Sequence, residues 1–261
     1  MLIKYVPWHA MAIVGLRAAL AALVFIIFRR SVKIKFTKGN ILAALCLSLT
    51  TILFVFANKL TTAAAAILLQ FTSPIFIILM HLIFYKIKPK LREAVVVSLT
   101  ICGMLLFFAG KLDGGSFLGN LLAIGSGVFF AGVCVCNKMD DTEPEQAIFL
   151  GFLINTVVGV PFAFFSATPD LVAWGSVVAL GLVQVGLAYV FFSIGIKRTP
   201  ALLACLIAAL EPVLNPLWVA LATNEIPGPL SIAGGAVIIL TIVGYNVLLE
   251  LRPEQAQVQE K

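Results

Sequence analysis

The chain has 261 residues, of which 61% are hydrophobic and 11% are charged, and its formal net charge is +6. A soluble domain is about 45–50% apolar and about 25% charged, whereas the mean hydropathy of this chain is +1.10. The composition therefore excludes an ordinary soluble protein and predicts an all-α polytopic membrane protein.

Apolar runs long enough to cross a bilayer occur nine times along the chain. A helix needs about 20 residues to cross the roughly 30 Å hydrocarbon layer. The predicted spans are residues 8–28, 39–58, 61–85, 93–110, 117–137, 146–166, 171–196, 199–223 and 229–250. Their connections are only a few residues long, so little of the chain is left for a soluble domain.

The basic residues predict how these spans are oriented. With the N-terminus outside, three of the 18 Lys and Arg residues fall in outer loops and Arg17 falls inside a span. The others fall in loops on the cytoplasmic side: Arg29, Arg30, Lys33, Lys35, Lys38, Lys86, Lys88, Lys90, Arg92, Lys138, Lys197, Arg198, Arg252 and Lys261. Short loops follow the positive-inside rule. We therefore predict a cytoplasmic C-terminus, and the positive charge gives no reason to expect nucleic acid as a partner.

An internal repeat links the two halves of the chain. Residues 54–80 align with residues 192–218 without a gap at an offset of 138. The identical pairs are Phe54/Phe192, Lys59/Lys197, Thr61/Thr199, Ala63/Ala201, Ala66/Ala204, Leu68/Leu206, Pro74/Pro212 and Leu79/Leu217. The predicted spans of the two copies cross the membrane in opposite directions, and many secondary transporters form their central site from such inverted repeats.

Polar and ionisable side chains at membrane depth mark the candidate pathway, because they are costly there and rarely face lipid. Glu211 lies about twelve residues from either end of its span and therefore near the midplane. Ala204, Ala208, Asn215 and Trp218 share its helix face. We predict that Glu211 binds substrate or a proton, with Asn215 and Trp218 beside it. The equal alternative is that Glu211 only supports neighbouring helices.

The related span of the first half carries Gln70, Pro74, Ile77 and His81 along one face. Gln70 offers both a donor and an acceptor to a polar solute, and its alternative role is an interhelical hydrogen bond. His81 lies near the cytoplasmic end, where a histidine titrates near neutrality. It is therefore a second candidate for proton coupling, the alternative being a hydrated surface group.

Two further spans carry polar faces. Thr51 lies on the second span, and Tyr189 and Ser193 lie four residues apart on the seventh. Thr51 and Tyr189 correspond at the offset of 138, so we predict that each half contributes one polar face to a shared cavity. Arg17 is a candidate for binding an anionic group such as a carboxylate. The alternatives for Arg17 are a bridge between helix ends and a side chain that reaches the interface.

Catalytic and metal chemistry have little support in the sequence. All five cysteines lie in apolar spans, where a thiol behaves as a small hydrophobe. Cys134 and Cys136 lie about 200° apart around a helix and cannot share a metal. The chain has two histidines, with no His pair at ligand spacing and no Ser/His/Asp set in the spans. We predict no metal, no cofactor and no enzymatic activity.

Several short motifs together are similar to those of one transporter family. They are Gly15–Arg17 in the first span, Thr61–Pro74, Gly119–Ala123, Thr199–Pro212 with Glu211 followed by Pro212, and Asn224–Glu225 ahead of a last span that contains Gly234, Gly235 and Gly244. With these motifs the chain resembles the EamA-type transporters of the drug/metabolite transporter superfamily, which are built from two five-helix repeats of opposite topology.

The resemblance implies two inverted repeats, here with four and five spans, so that the opening helix of the ten-helix family pattern is missing. Residues 1–112 then form the first, shortened repeat, residues 117–251 the second, and residues 252–261 a polar tail.

The resemblance also implies a function. It implies a carrier in the cell (inner) membrane that exports an amino acid or a related small polar metabolite by alternating access. Its expected partners are the small-molecule substrate, the lipid bilayer and a second copy in a homodimer. Two alternatives remain open: a non-transporting membrane scaffold or subunit and, with less support, a polytopic membrane enzyme.

Overall fold

The computed structural model describes residues 3, 6–29, 33–109, 116–211, 213 and 228–250, and all regular structure within these ranges is helical. The helices are α1 (Ala10–Arg29), α2 (Lys38–Leu60), α3 (Ala63–Gln70), α4 (Ser73–Phe84), α5 (Leu91–Phe107), α6 (Phe117–Cys136), α7 (Pro144–Ser166), α8 (Leu171–Ala179), α9 (Ala188–Ile196), α10 (Ala201–Ala208) and α11 (Pro229–Glu250). A π-helical segment, Leu180–Leu187, connects α8 to α9.

Seven helical stretches in the described ranges are long and apolar enough to cross a membrane. They are α1, α2, α3 with α4, α6, α7, α8 through α9, and α11. Helix α5 has 17 residues and occupies the predicted span 93–110. Helix α10 begins the predicted span 199–223, much of which lies outside the described residues. The composition and these helices together identify a multi-pass membrane protein.

Short polar side chains begin several of the helices. The hydroxyl of Thr37 accepts a hydrogen bond from the amide of Asn40, and the hydroxyl of Thr62 accepts one from the amide of Ala65. Such N-caps satisfy amide groups that have no partner within the helix. They mark where the apolar runs of α2 and α3 begin.

Glycines allow helix backbones to touch. A Cβ atom at Gly15 of α1 would lie 2.2 Å from the backbone nitrogen of Val160 on α7. One at Gly234 of α11 would lie 2.4 Å from the backbone nitrogen of Phe107 on α5. Lipid supplies no hydrophobic force between helices, so close backbone packing takes its place. These crossings therefore hold α1 against α7 and α5 against α11.

Loops that are predicted to be cytoplasmic meet at one end of the bundle. The Lys35 ammonium and the Glu143 carboxylate form an ion pair at 2.6 Å, and we call this ion pair the clasp. The ammonium of Lys138 donates to the carbonyl of Lys197 at 3.3 Å. The α1–α2, α6–α7 and α9–α10 connections thus lie on the same side.

Other contacts join the opposite ends of these helices. The Trp8 indole N–H donates to the Thr168 hydroxyl at 3.0 Å, and the Thr61 hydroxyl donates to the side-chain oxygen of Asn120 at 2.8 Å. The alternation of the two ends along the chain agrees with helices that cross a membrane in turn.

Two helices of the repeat break at related positions. Helix α3 ends at Gln70 and a turn at Phe71 and Thr72 precedes α4, where Pro74 stands in the first turn. Helix α10 ends at Ala208, followed by a turn at Ala209. Both ends of α10 correspond to the ends of α3 at the offset of 138. A break in an apolar helix leaves backbone groups that must find partners inside the protein, so these positions are suited to a polar site.

Candidate functional site

A cavity of about 230 Å³ lies beside the two helix breaks. It is lined by Gln70, Phe71, Phe130, Gln184, Ala188, Tyr189, Phe192, Ile207, Ala208 and Glu211. Its wall is therefore largely apolar and aromatic, with four polar side chains from three parts of the chain. A few convergent polar groups in an apolar recess are typical of sites for small organic molecules.

Among the described residues, Glu211 contributes the only carboxylate to this lining, just after α10. The side-chain amide of Gln184 lies close enough to hydrogen-bond the Glu211 carboxyl, and the Tyr189 hydroxyl lies within electrostatic range of it. The structure thus brings together three of the predicted site residues, Glu211, Gln70 and Tyr189.

Tyr189 is fixed in the wall by aromatic packing. Its ring makes edge-to-face contacts with Phe152 at 5.6 Å and with Phe192 at 5.5 Å between ring centroids. Such pairs hold the ring while leaving the hydroxyl free to meet a polar group. Tyr189 and Glu211 therefore line the same cavity from α9 and from the end of α10.

Gln184 is a site residue that the sequence analysis did not identify. It lies in the π-helical segment between Gly181 and Gly186. A Cβ atom at Gly181 would lie 2.7 Å from Cβ of Leu20, and one at Gly186 would lie 2.9 Å from a methyl carbon of Val24. The two glycines bring this segment against α1. π-helical turns are rare and occur frequently at functional sites.

Two other predicted site residues, Thr51 and Ser193, do not line this cavity. The Ser193 hydroxyl donates to the carbonyl of Val190 at 2.7 Å. Asn215 and Trp218 lie outside the described residues.

His81 lines a separate small recess together with Lys90 and Glu93 near one end of α4. Its ring makes an edge-to-face contact with Tyr85 at 5.9 Å. The recess and the Glu211 cavity share no lining residue. The two proton-coupling candidates, Glu211 and His81, therefore belong to different places in the fold.

Arg17 lies near Tyr189 but is not part of the cavity lining. Its side chain is buried, with 6% of the residue exposed, and it lies within electrostatic range of the Tyr189 hydroxyl. Within the part of the chain that the structure describes, its Nε has no hydrogen-bond partner. The sequence-based alternative of a side chain that reaches the interface does not fit this burial.

Metal binding finds no matching arrangement in the described ranges, where no group of three His, Cys, Asp or Glu side chains is placed to hold an ion. The cavity instead offers a carboxylate, two amides and a phenol. These groups bind organic solutes through hydrogen bonds and charge.

The family model of the EamA-like transporters matches residues 1–109 and 117–247. The chain belongs to the EamA-like transporter family. It is therefore a membrane transporter and not an enzyme.

Individual proteins and one solved structure are similar to this EamA-like transporter. The uncharacterized transporter YxxF of Bacillus subtilis (strain 168) is 24% identical over 161 residues, 58% of this chain and 51% of YxxF. This chain thus spans about half the length of that relative. The threonine/homoserine exporter RhtA of Salmonella typhimurium (strain LT2) is 25% identical over 263 residues, 97% of this chain and 87% of RhtA. A crystal structure with 20% identity superposes with a TM-score of 0.77 over 95% of this chain and 90% of that chain, which shows a shared fold.

Proposed function

We propose that this EamA-like transporter is a carrier that exports an amino acid or a related small polar metabolite through the Glu211 cavity by alternating access. It lies in the cell (inner) membrane with its N-terminus outside and its C-terminus in the cytoplasm. The distribution of the Lys and Arg residues supports this orientation.

The proposed architecture has nine spans, four in a first repeat at residues 1–112 and five in a second at residues 117–251, with a polar tail at 252–261. The matching ends of α3 and α10 at the offset of 138 support it. A cavity at the point where both repeats break their helices is the observation that carries the functional proposal. Inverted-repeat transporters bind substrate at such discontinuous helices near the midplane.

Glu211 is the group through which this cavity binds its solute. A carboxylate near the bilayer centre costs about 2.5–3.5 kcal/mol on insertion scales. It is retained there if it meets a cationic group of the substrate or exchanges a proton. Gln184 and Tyr189 supply hydrogen-bonding groups beside it, which suits a small polar solute. RhtA is a threonine/homoserine exporter, which is the reason to begin with amino acids.

Counterflow in proteoliposomes tests this proposal. Vesicles loaded with one unlabelled amino acid, sugar or nucleoside are diluted into the same labelled solute at low concentration. A carrier that works by alternating access accumulates label transiently, because each labelled molecule that enters is exchanged for an unlabelled one. We expect accumulation for at least one amino acid and its loss in Glu211→Gln.

The matched control is Glu145→Gln, the same chemical change in the first turn of α7 and outside the cavity lining. It should retain counterflow. Passive equilibration without accumulation would argue for a pore, and no uptake of any solute in the panel would favour the scaffold alternative.

A further inference from the structure

The starting observation is a buried cation with an unfilled hydrogen-bonding site. Arg17 is 6% exposed, and its Nε has no partner among the described residues. A guanidinium stays protonated at any physiological pH and presents five donors in a planar fork. Burying such a group without a partner is costly, so a structure that retains one is suited to an anion that arrives from elsewhere.

The neighbourhood of Arg17 supplies no carboxylate in the described part of the chain. The side chain that acts on it electrostatically is Tyr189, whose hydroxyl is neutral. The ion pair that the structure shows, Lys35 with Glu143, lies at the loop end of the bundle. Among the residues that the structure describes, none neutralises the charge of Arg17.

Arg17 is close to the cavity because α1 packs against the π-helical segment. A Cβ atom at Gly181 would lie 3.0 Å from the carbonyl oxygen of Arg17. The same segment leads into Tyr189, which lines the cavity and lies within electrostatic range of both Arg17 and Glu211. A cationic and an anionic side chain thus approach one phenol from α1 and from the end of α10.

Resting on the proposed function, we propose that Arg17 binds the anionic group of the substrate while Glu211 binds its cationic group, so that the site selects solutes that carry both a carboxylate and an ammonium. The carboxylate accepts hydrogen bonds from the Tyr189 hydroxyl and, when the Arg17 side chain extends beside the Tyr189 ring, from the Arg17 guanidinium. A guanidinium donates two parallel hydrogen bonds to one carboxylate, a bidentate geometry that Lys does not reproduce.

The test compares three ligands that differ by one charge. The 20 common amino acids are screened by thermal stabilisation of the detergent-solubilised protein, since a ligand that binds only the native state raises its melting temperature. The amino acid that stabilises most is then compared with its carboxamide, which lacks the anion, and with its desamino acid, which lacks the cation. We expect the wild type to bind the amino acid at least tenfold more tightly than either analogue.

Two variants assign the charges to their residues. Arg17→Gln should lose at least tenfold in affinity for the amino acid and bind the carboxamide as the wild type does. Glu211→Gln should show the reverse, losing affinity for the amino acid while binding the desamino acid as before. Arg17→Lys keeps the charge without the fork and should lie between wild type and Arg17→Gln. The ligand comparison on the wild type tests the two-charge selectivity without any variant, and Arg17→Lys tests the role of Arg17 if Arg17→Gln does not fold.

Equal binding of the amino acid and its carboxamide would overturn the inference. So would a uniform loss for all three ligands in Arg17→Gln, which is the signature of a structural role. Counterflow of sugars or nucleosides with no amino-acid binding would support the proposed carrier function and contradict the two-charge site. Binding with the expected charge pattern but no flux in vesicles would support the two-charge site and contradict the proposed carrier function.

Discussion

The Gln184 side chain and the Glu211 carboxyl face each other closely enough to hydrogen-bond, although 27 positions separate them in the sequence. The contact joins the π-helical segment to the end of α10 and lies in the wall of the cavity. It places an amide beside the Glu211 carboxyl in the cavity wall. We therefore expect Gln184 to hold Glu211 in the orientation that meets the substrate.

Replacing Gln184 by Leu should lower counterflow at least tenfold with little change in thermal stability. Leucine fills a similar volume but donates no hydrogen bond, so the carboxyl loses its neighbour. A neutral hydrogen bond between membrane helices is worth about 0.6–2 kcal/mol, which limits the effect on folding. The comparison variant is Val183→Leu, an exposed neighbour outside the cavity lining. Equal counterflow activity of the two variants would show that Gln184 does not contribute to the site.

The α1–α7 crossing should be intolerant of a single methyl group. In Gly15→Ala the new Cβ would lie 2.2 Å from a backbone nitrogen of α7, and backbone atoms cannot rotate away. Overpacking of this kind costs about 1–3 kcal/mol, so the melting temperature of the solubilised protein should fall by several degrees. Gly175→Ala is the matched change, because a Cβ there meets nothing within 4 Å. Indistinguishable melting temperatures would show that α1 and α7 can separate freely.

A buried hydrogen bond also joins α2 to α7. The Ser48 hydroxyl donates to the side-chain oxygen of Asn155 at 2.5 Å, and both residues are buried. Ser48→Ala leaves the Asn155 oxygen without this partner and should destabilise the protein by about 1–2 kcal/mol, measured by thermal unfolding. Ser98→Ala, at an exposed position on α5, is the control and should stay within about 0.5 kcal/mol.

The clasp predicts a dependence of stability on pH. The hydrogen bond from Lys35 lowers the pKa of the Glu143 carboxyl, and the charge of Lys35 lowers it further. Desolvation acts in the opposite direction, and the resulting pKa lies below the usual carboxyl range. Because the folded-state pKa is lowered, the clasp contributes its full stabilisation above the ordinary Glu pKa and loses it as the pH falls through the lowered value. Both side chains are largely accessible, so the contribution is about 0.2–1 kcal/mol.

Thermal unfolding of the wild type and of Glu143→Gln measures this contribution. At pH 7 the wild type should melt at the higher temperature, and the difference should vanish in acid once Glu143 is protonated. High salt should also reduce it, because exposed pairs are screened. Asp140→Asn, an exposed carboxylate of the same connection, should show no such difference. A gap between wild type and Glu143→Gln that persists at low pH would assign the effect to something other than the ion pair.

Hydropathy predicted the helix ends well where polar residues flank an apolar run. The predicted span 117–137 corresponds to Phe117–Cys136, and the predicted span 146–166 to Pro144–Ser166. The position of Glu211 within its apolar span predicted its depth, and the offset of 138 related that span to the one that carries Gln70. Such patterns depend on composition and spacing, which are visible without a structure.

The irregular parts of the site were not visible in that way. The π-helical segment lies within a run that is apolar apart from Gln184. A change of backbone hydrogen-bonding register does not alter the hydropathy of the sequence. The one signal for Gln184 was a lone amide at membrane depth, whose counterpart at the offset of 138 is Cys46. For Ser193, helical spacing cannot tell a hydroxyl that faces a cavity from one that bonds back to its own helix.

Helices α1 and α7 are fastened to each other at three levels. Trp8 and Thr168 join them at one end, Gly15 brings their backbones together further along, and Phe25 packs on Phe152 at 5.4 Å beyond that. One helix comes from each half of the chain, so these contacts resist sliding of the two halves past each other. We therefore expect the movement to lie in the interrupted helices: spin labels on α3 and α10 should change their separation during turnover, while labels on α1 and α7 keep theirs.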